Sequence, residues 1–280
     1  MLIHALFWLT LPLQFYAGAW IDDEKNPLPS APAMLLGIAM FLAVVHLSAT
    51  VLGGSHAGLA VGGVVTAVAG AWQVALRIRA RAWQSPTRYL LTRLAAPVLI
   101  ALGLAPMALG WSFHDEVFLL GHRGLAAQMV RGIYPPFHPA FPDKPLAYHF
   151  GFDILTAALS LGGSMKVSNA IDVWTIVLSL LFGAVLYRIG ERERGPRWAW
   201  LFPVVGLFAG GLAWLTPSFE GCTLCPLLSA VRIGKQMVNP PVVSYLFQHP
   251  YALGMAIGIG ALDLARAPGD AARGWRCLLY

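Results

Sequence analysis

The residues best suited to chemistry fall in one stretch, which opens with Trp111-Ser-Phe-His114-Asp115-Glu116 and closes with Tyr148-His149-Phe150-Gly151-Phe152-Asp153. It gathers two adjacent carboxylates, four of the eight histidines, three basic residues and five prolines between two lipid-like runs. A carboxylate can draw a proton from an attacking hydroxyl, and a neighbouring cation can stabilise a departing phosphate. Capping the N-terminus of the following segment would account for one of Asp115 and Glu116, because the helix dipole favours negative charge there. Two carboxylates in succession beside His114 also leave open a catalytic base or a site for a divalent cation.

If 116–132 is helical, a step of about 100° per residue puts Arg123 about 20° and Arg131 about 60° from Glu116. Acid and base then share a face. Phe118, Leu125 and Met129 share another, as in an amphipathic helix lying on a bilayer surface. Arginines that face water or lipid phosphates are the plainer account of either one alone. The segment Gly132 to Pro145 cannot be regular helix, because each proline removes a donor and restricts its predecessor. A stiff external loop carrying His138 is expected, with aromatic residues that suit either the membrane interface or a sugar face. Tyr148 and His149 close the loop. His149 has the chemistry of an acid, a base or a phosphate ligand, and equally of a surface histidine.

Other motifs exclude more than they establish. Cys222-Thr-Leu-Cys225 is a single C-x-x-C without the second pair a structural zinc site needs, and a local disulfide suits it better than redox catalysis. Gly234-Lys235-Gln236 lacks the spacing and hydroxyl of a phosphate loop, and no dinucleotide fingerprint occurs. A transferred group would therefore arrive on a lipid carrier. Arg232 and Lys235 could hold its anionic headgroup, or simply snorkel to the interface.

The elements that position these residues are hydrophobic. With 58% hydrophobic and 11% charged residues, the chain is far more apolar than a soluble domain. Apolar runs at 3–20, 33–52, 57–78, 94–112, 168–187, 198–216 and 244–265 read as membrane-spanning helices. The fold class is all-α: one polytopic helix bundle over 1–280, with an external loop containing amphipathic interfacial helices. The net charge of +6 comes from short arginine clusters between spans, which mark the cytoplasmic side and give no basic stripe for nucleic acid. These are Arg77 to Arg93, Arg188 to Arg197 and Arg266 to Arg276. Met1 to Ile3 has no basic n-region, so the first run reads as a retained span.

Parity decides how 150–163 is read. This run is apolar but only about two-thirds of a spanning length, and it contains Asp153. If it crossed, the next span would deliver Arg188, Arg192, Arg194 and Arg197 to the outside, against the positive-inside rule. It is therefore expected to be an interfacial, half-buried helix on the external face, with the N-terminus also outside. His46 and His56 read as packing or interfacial residues. Gly206 to Gly210 gives a small-xxx-small face, and the third run, rich in Gly, Ala and Val, allows close helix approach. A further apolar run begins at 275–280, so the chain is expected to be the N-terminal part of something longer.

The order of a span, an Asp-Glu pair, an amphipathic helix, a Gly-x-Tyr-Pro-Pro turn at Gly132 to Pro136, and Tyr148-His-Phe-Gly151 before a short helix resembles the GT-C membrane glycosyltransferases. It is closest to the protein O-mannosyltransferases, the aminoarabinose transferases and bacterial membrane proteins with the Tyr-His-Phe-Gly signature. The resemblance covers 94–190 well and 198–266 loosely, leaving 1–93 as three additional spans. It implies Asp115 as catalytic base, Glu116 as its partner or a metal ligand, and transfer with inversion from a polyprenyl-phosphate sugar. His114, Arg123, Arg131, His138, Tyr148, His149 and Lys235 would contact phosphate or acceptor. The expected location is the plasma (inner) membrane, with the site on the external or periplasmic side. The alternative is a non-catalytic polytopic protein, either a transporter or flippase for a lipid-linked substrate or an assembly scaffold. Asp172 and Asp263 fall near span ends and no span is expected to hold a buried acid–base pair, which weighs against transport.

Overall fold

A computed structural model describes residues 2–80, 121–138, 141–146, 149–208 and 249–266. Outside them lie His114, Asp115, Glu116, Phe118, Tyr148, Cys222, Cys225 and Lys235, with the span expected at 94–112, the second half of that at 198–216 and the run at 275–280. The described chain is almost wholly helical. Its helices are α1 Leu2–Tyr16, α2 Ala31–Leu52, α3 Ser55–Arg79, α4 His122–Val130, α5 Gly151–Gly163, α6 Val167–Arg194, α7 Leu201–Phe208 and α8 His249–Arg266. Strands β1 Phe137–His138 and β2 Phe141–Pro145 form an antiparallel hairpin.

Among the described residues, α2, α3 and α6 are long and apolar enough to cross a membrane, and they coincide with the runs expected at 33–52, 57–78 and 168–187. Their exposed side chains include Leu47, Val51, Val64, Val68 and Trp72, which suit contact with lipid. The first run is shorter than expected: α1 has 15 residues and gives way to a 3-10 turn at Ala19–Ile21, below the length of about 20 residues a span needs. The local signals for α2 are plain. Ser30 accepts from the Ala33 N–H, Pro32 stands where no donor is needed, and Gly53 ends the helix in the left-handed region at φ 73°. Asp22 fixes this start, accepting from Ser30 N–H at 2.6 Å and Ser30 O–H at 2.7 Å.

Helices α1, α2 and α3 meet through glycines. A side chain on Gly70 would run into the Leu13 carbonyl, one on Gly62 into Val45, and one on Gly58 into Ala49. Backbones thus approach closely, as small residues permit. Arg77, which the sequence assigns to a cytoplasmic basic cluster, is fully buried. Its guanidinium donates to the Ala19 carbonyl at 2.9 Å and to the carbonyl and amide oxygens of Gln73 at 3.3 and 3.1 Å, so it works as a tie between the ends of α1 and α3.

The same end of the bundle holds the C-termini of α6 and α8. Asp263 on α8 meets Arg192 Nη1 at 2.6 Å and Arg188 Nε at 2.8 Å. Gly260 of α8 packs beside Leu35 and Pro32 at the start of α2. Asp263 is only 1% exposed, whereas Arg188 is half-buried and Arg192 exposed; these arginines, one helical turn apart on α6, converge on the acid from the surface.

Two expectations for interfacial helices also change. Helix α5, with 13 residues, is too short to cross a hydrocarbon core of about 30 Å. It is not half-buried, however. Phe152 to Ala157 and Leu159 are all enclosed, because α1, α2, α4, α6 and α8 pack around it. The amphipathic segment expected at 116–132 is helical from His122 to Val130, and its apolar Leu125 and Met129 are buried in protein against α5, not turned toward lipid.

Substituting Gly70 by Ala should cost about 1–3 kcal/mol, as overpacking in a tight contact does. Gly254→Ala on α8, where nothing lies within 4 Å of an added Cβ, should be neutral or slightly stabilising. Thermal unfolding in detergent compares the two, and equal midpoints would contradict the glycine-mediated packing.

Candidate functional site

Asp153 occupies the first turn of α5, where the helix dipole favours a carboxylate. Its position in an apolar helix leaves it 0% exposed, and a charge removed from water needs a partner. That partner is His122, the first residue of α4, itself only 4% exposed. Nδ1 of His122 lies 3.1 Å from each carboxylate oxygen of Asp153. Donation from Nδ1–H to the carboxylate fixes the ring's orientation and makes Nε2 the nitrogen for proton exchange.

The ring of His149, just before α5 and exposed, lies 6.1 Å from that of His122 between centroids. Phe152 meets His122 edge-on at 6.4 Å. Partial burial, and next the nearby His122, hold the His149 imidazole below its usual range, so it is mostly neutral at neutral pH. The arrangement is therefore a buried carboxylate, an oriented imidazole and a second, solvent-facing imidazole in sequence.

The far end of α4 is held as firmly. Carbonyls in the last turn of a helix have no intrahelical donors. Ser55 Oγ donates to the Met129 carbonyl at 2.6 Å and His56 Nε2 to that of Val130 at 2.8 Å. The Ser55 N–H donates to Gly132, whose φ of 92° suits glycine. His56 is thus a structural residue, in keeping with its plainer reading. The hairpin is joined to α4 by Gln128, whose amide exchanges two hydrogen bonds with the backbone of Phe137 at 2.7 and 3.0 Å. Tyr134 bonds to His46 Nδ1 and meets Phe150 edge-on. Burial pushes the Tyr134 phenol up to about 12, so it stays protonated.

Of the residues chosen from sequence, His149 joins this cluster. Arg123 and Arg131 are exposed on α4 and just past its end. His138 belongs to the hairpin: its Nδ1 accepts from the Phe141 N–H at 3.2 Å and its ring lies 5.1 Å from that of Phe141. His114, Asp115, Glu116, Tyr148 and Lys235 lie outside the described residues. The sequence reading missed His122. An aspartate inside an apolar run was the available signal, since intramembrane ionisable groups mark functional sites, but its partner stands 31 residues away. Among the described residues no three His, Cys, Asp or Glu side chains are grouped to hold a metal. Asp115 and Glu116, the residues expected to hold a divalent cation, lie outside that set.

The chain matches no protein-family model, no curated protein and no solved structure.

Two outcomes test this geometry. His122→Ala and Asp153→Ala should couple by more than about 1 kcal/mol in a double-mutant cycle of unfolding, as contacting buried partners do; additive effects would contradict the pairing. His149 makes stability depend on pH. The unfolded chain binds this proton near pH 6.5 and the folded state only below that, so its stabilising contribution is complete above about pH 6.5 and declines as pH falls through that value. His149→Gln should flatten the unfolding midpoint between pH 8 and 5, and an unchanged slope would contradict it.

Proposed function

We propose that this protein transfers a sugar from a polyprenyl-phosphate donor to an acceptor at the external face of the membrane. The observation that carries the reading is the buried His122–Asp153 pair at the opposite end of the bundle from Arg77, Arg188 and Arg192. Arginine-rich ends face the cytoplasm, which leaves the His–Asp end for the external surface. The donor's tail is apolar and its phosphate anionic. Such a substrate suits a site near the bilayer surface, where Arg123 and Arg131 are exposed and a guanidinium can pair with phosphate. In this reading Asp115 acts as the base that deprotonates the acceptor, with Glu116 as its partner. His122 adds an oriented imidazole to this set of roles. Lys235, His114 and Tyr148 keep their proposed contacts to phosphate or acceptor.

One observation favours transport of a lipid-linked substrate as a second reading. Asp263 is a buried carboxylate near the end of α8, held by partly exposed Arg188 and Arg192, and buried acids of this kind mark transport paths. It lies at the arginine-rich end, and the crevice at the centre of the bundle is lined by Phe7, Leu11, Phe15, Ile38, Phe41 and Trp174. A polar path past these side chains is hard to build.

Full-length protein in proteoliposomes, supplied with synthetic polyprenyl-phosphate sugars and an acceptor mixture, should transfer sugar. Asp115→Asn should abolish transfer without lowering membrane expression. Asp153→Asn should slow it by about 10²–10⁴-fold, the usual worth of a positioned acid–base group. Transfer retained in Asp115→Asn would refute the assignment. Movement of a fluorescent polyprenyl phosphate across the bilayer without transfer would favour transport.

A further inference from the structure

We propose that His122 exchanges its proton with bulk water through His149, so that Asp153, His122 and His149 form a proton path from the interior of the bundle to its surface. The use of this path in sugar transfer rests on the function proposed above; the path itself rests on geometry. Asp153 and His122 are almost fully enclosed, whereas His149 is exposed. The two rings are 6.1 Å apart between centroids and tilted by 38°, a gap that a small ring rotation or one bridging water closes. Phe152 stands edge-on to His122 and helps to wall the ring away from the bundle interior.

Each member has the chemistry its place requires. Asp153 engages Nδ1 of His122, which directs proton exchange to Nε2. His149 is mostly neutral at neutral pH, because partial burial and the adjacent His122 both disfavour its charged form; it is therefore ready to accept. Two imidazolium rings at this separation repel each other, so a proton arriving on one favours departure from the other. The two rings are therefore not charged together, and exposure of His149 alone opens the pair to water.

In transfer, the acceptor oxygen bonds to the anomeric carbon while the carbon–oxygen bond to phosphate breaks, its electron pair leaving with the polyprenyl phosphate. The acceptor's hydroxyl proton is drawn off by the base and must reach water before the next cycle. A proton taken up by His122 leaves through His149, which restores the neutral pair.

The test uses the full chain, labelled with ¹⁵N-histidine in lipid nanodiscs, and reads exchange of the His122 ring proton with water by NMR. His149→Phe keeps a ring of similar size at an exposed position but cannot carry a proton. It should slow His122 exchange by about tenfold or more, within the range a proton-transfer group contributes, and millimolar imidazole should restore the rate. His149→Gln should be equally slow, which excludes simple loss of polarity. Exchange as fast in both variants as in the parent protein would overturn the path. Transfer assays on the same samples separate the two claims. Slowed exchange in a protein without transferase activity would keep the path and remove the function, whereas active transferase with unchanged exchange would remove the path alone.

Discussion

A carboxylate with no exposed surface cannot remain charged in an apolar helix without a partner, and much of the described architecture around the site follows from satisfying Asp153. Its partner, His122, opens α4, so the pairing fixes where that helix begins. Ser55 and His56 accommodate the other end by donating to its last carbonyls. The nine residues of α4 are far below the length at which an isolated helix persists in water. Fixed at both ends and packed on α5 through Leu125 and Met129, α4 becomes a rigid shelf. Gln128 then joins the aromatic hairpin to that shelf. The position of the hairpin thus depends, through a short chain of contacts, on one buried charge.

The two ends of the bundle solve their electrostatics differently. At one, Arg77 is spent on backbone and amide oxygens, while Asp263 draws in Arg188 and Arg192. These contacts bind α1 to α3 and α6 to α8, and they leave the arginines little freedom. At the other, the ionisable groups are a buried carboxylate, the imidazole it orients and a second, exposed imidazole. Between the ends, the crevice among α1, α2, α5 and α6 is lined almost wholly by apolar side chains.

The spans were legible wherever length and hydropathy suffice: α2, α3 and α6 lie where the apolar runs place them. The short run at 150–163 was also recognisable from its length as too brief to cross, and it forms a helix of 13 residues. What sequence could not supply was the company each segment keeps. Leu125 and Met129 form the same apolar stripe whether they face lipid or α5, so periodicity alone could not choose. Arg77 looks like any other cluster arginine until Ala19, 58 residues away, is placed beside it. His122 and Asp153 are ordinary residues in ordinary helices until α4 meets α5, and Asp263 meets its arginines only through the packing of α6 on α8. In each case the missing information was a long-range contact with no periodic or motif signal. The resemblance to membrane glycosyltransferases, with its carboxylates Asp115 and Glu116, remains the basis of a proposal.

The account depends most directly on the two ends facing opposite sides of the membrane, with His122 and Asp153 toward the outside. In a cysteine-free background, Gly124→Cys on the exposed face of α4 and Arg194→Cys at the end of α6 report the two sides to a membrane-impermeant maleimide. In intact cells the account predicts labelling at position 124 and protection at 194, with the pattern reversed in inverted vesicles. Labelling of both positions from one side, or of 194 alone in intact cells, would contradict it.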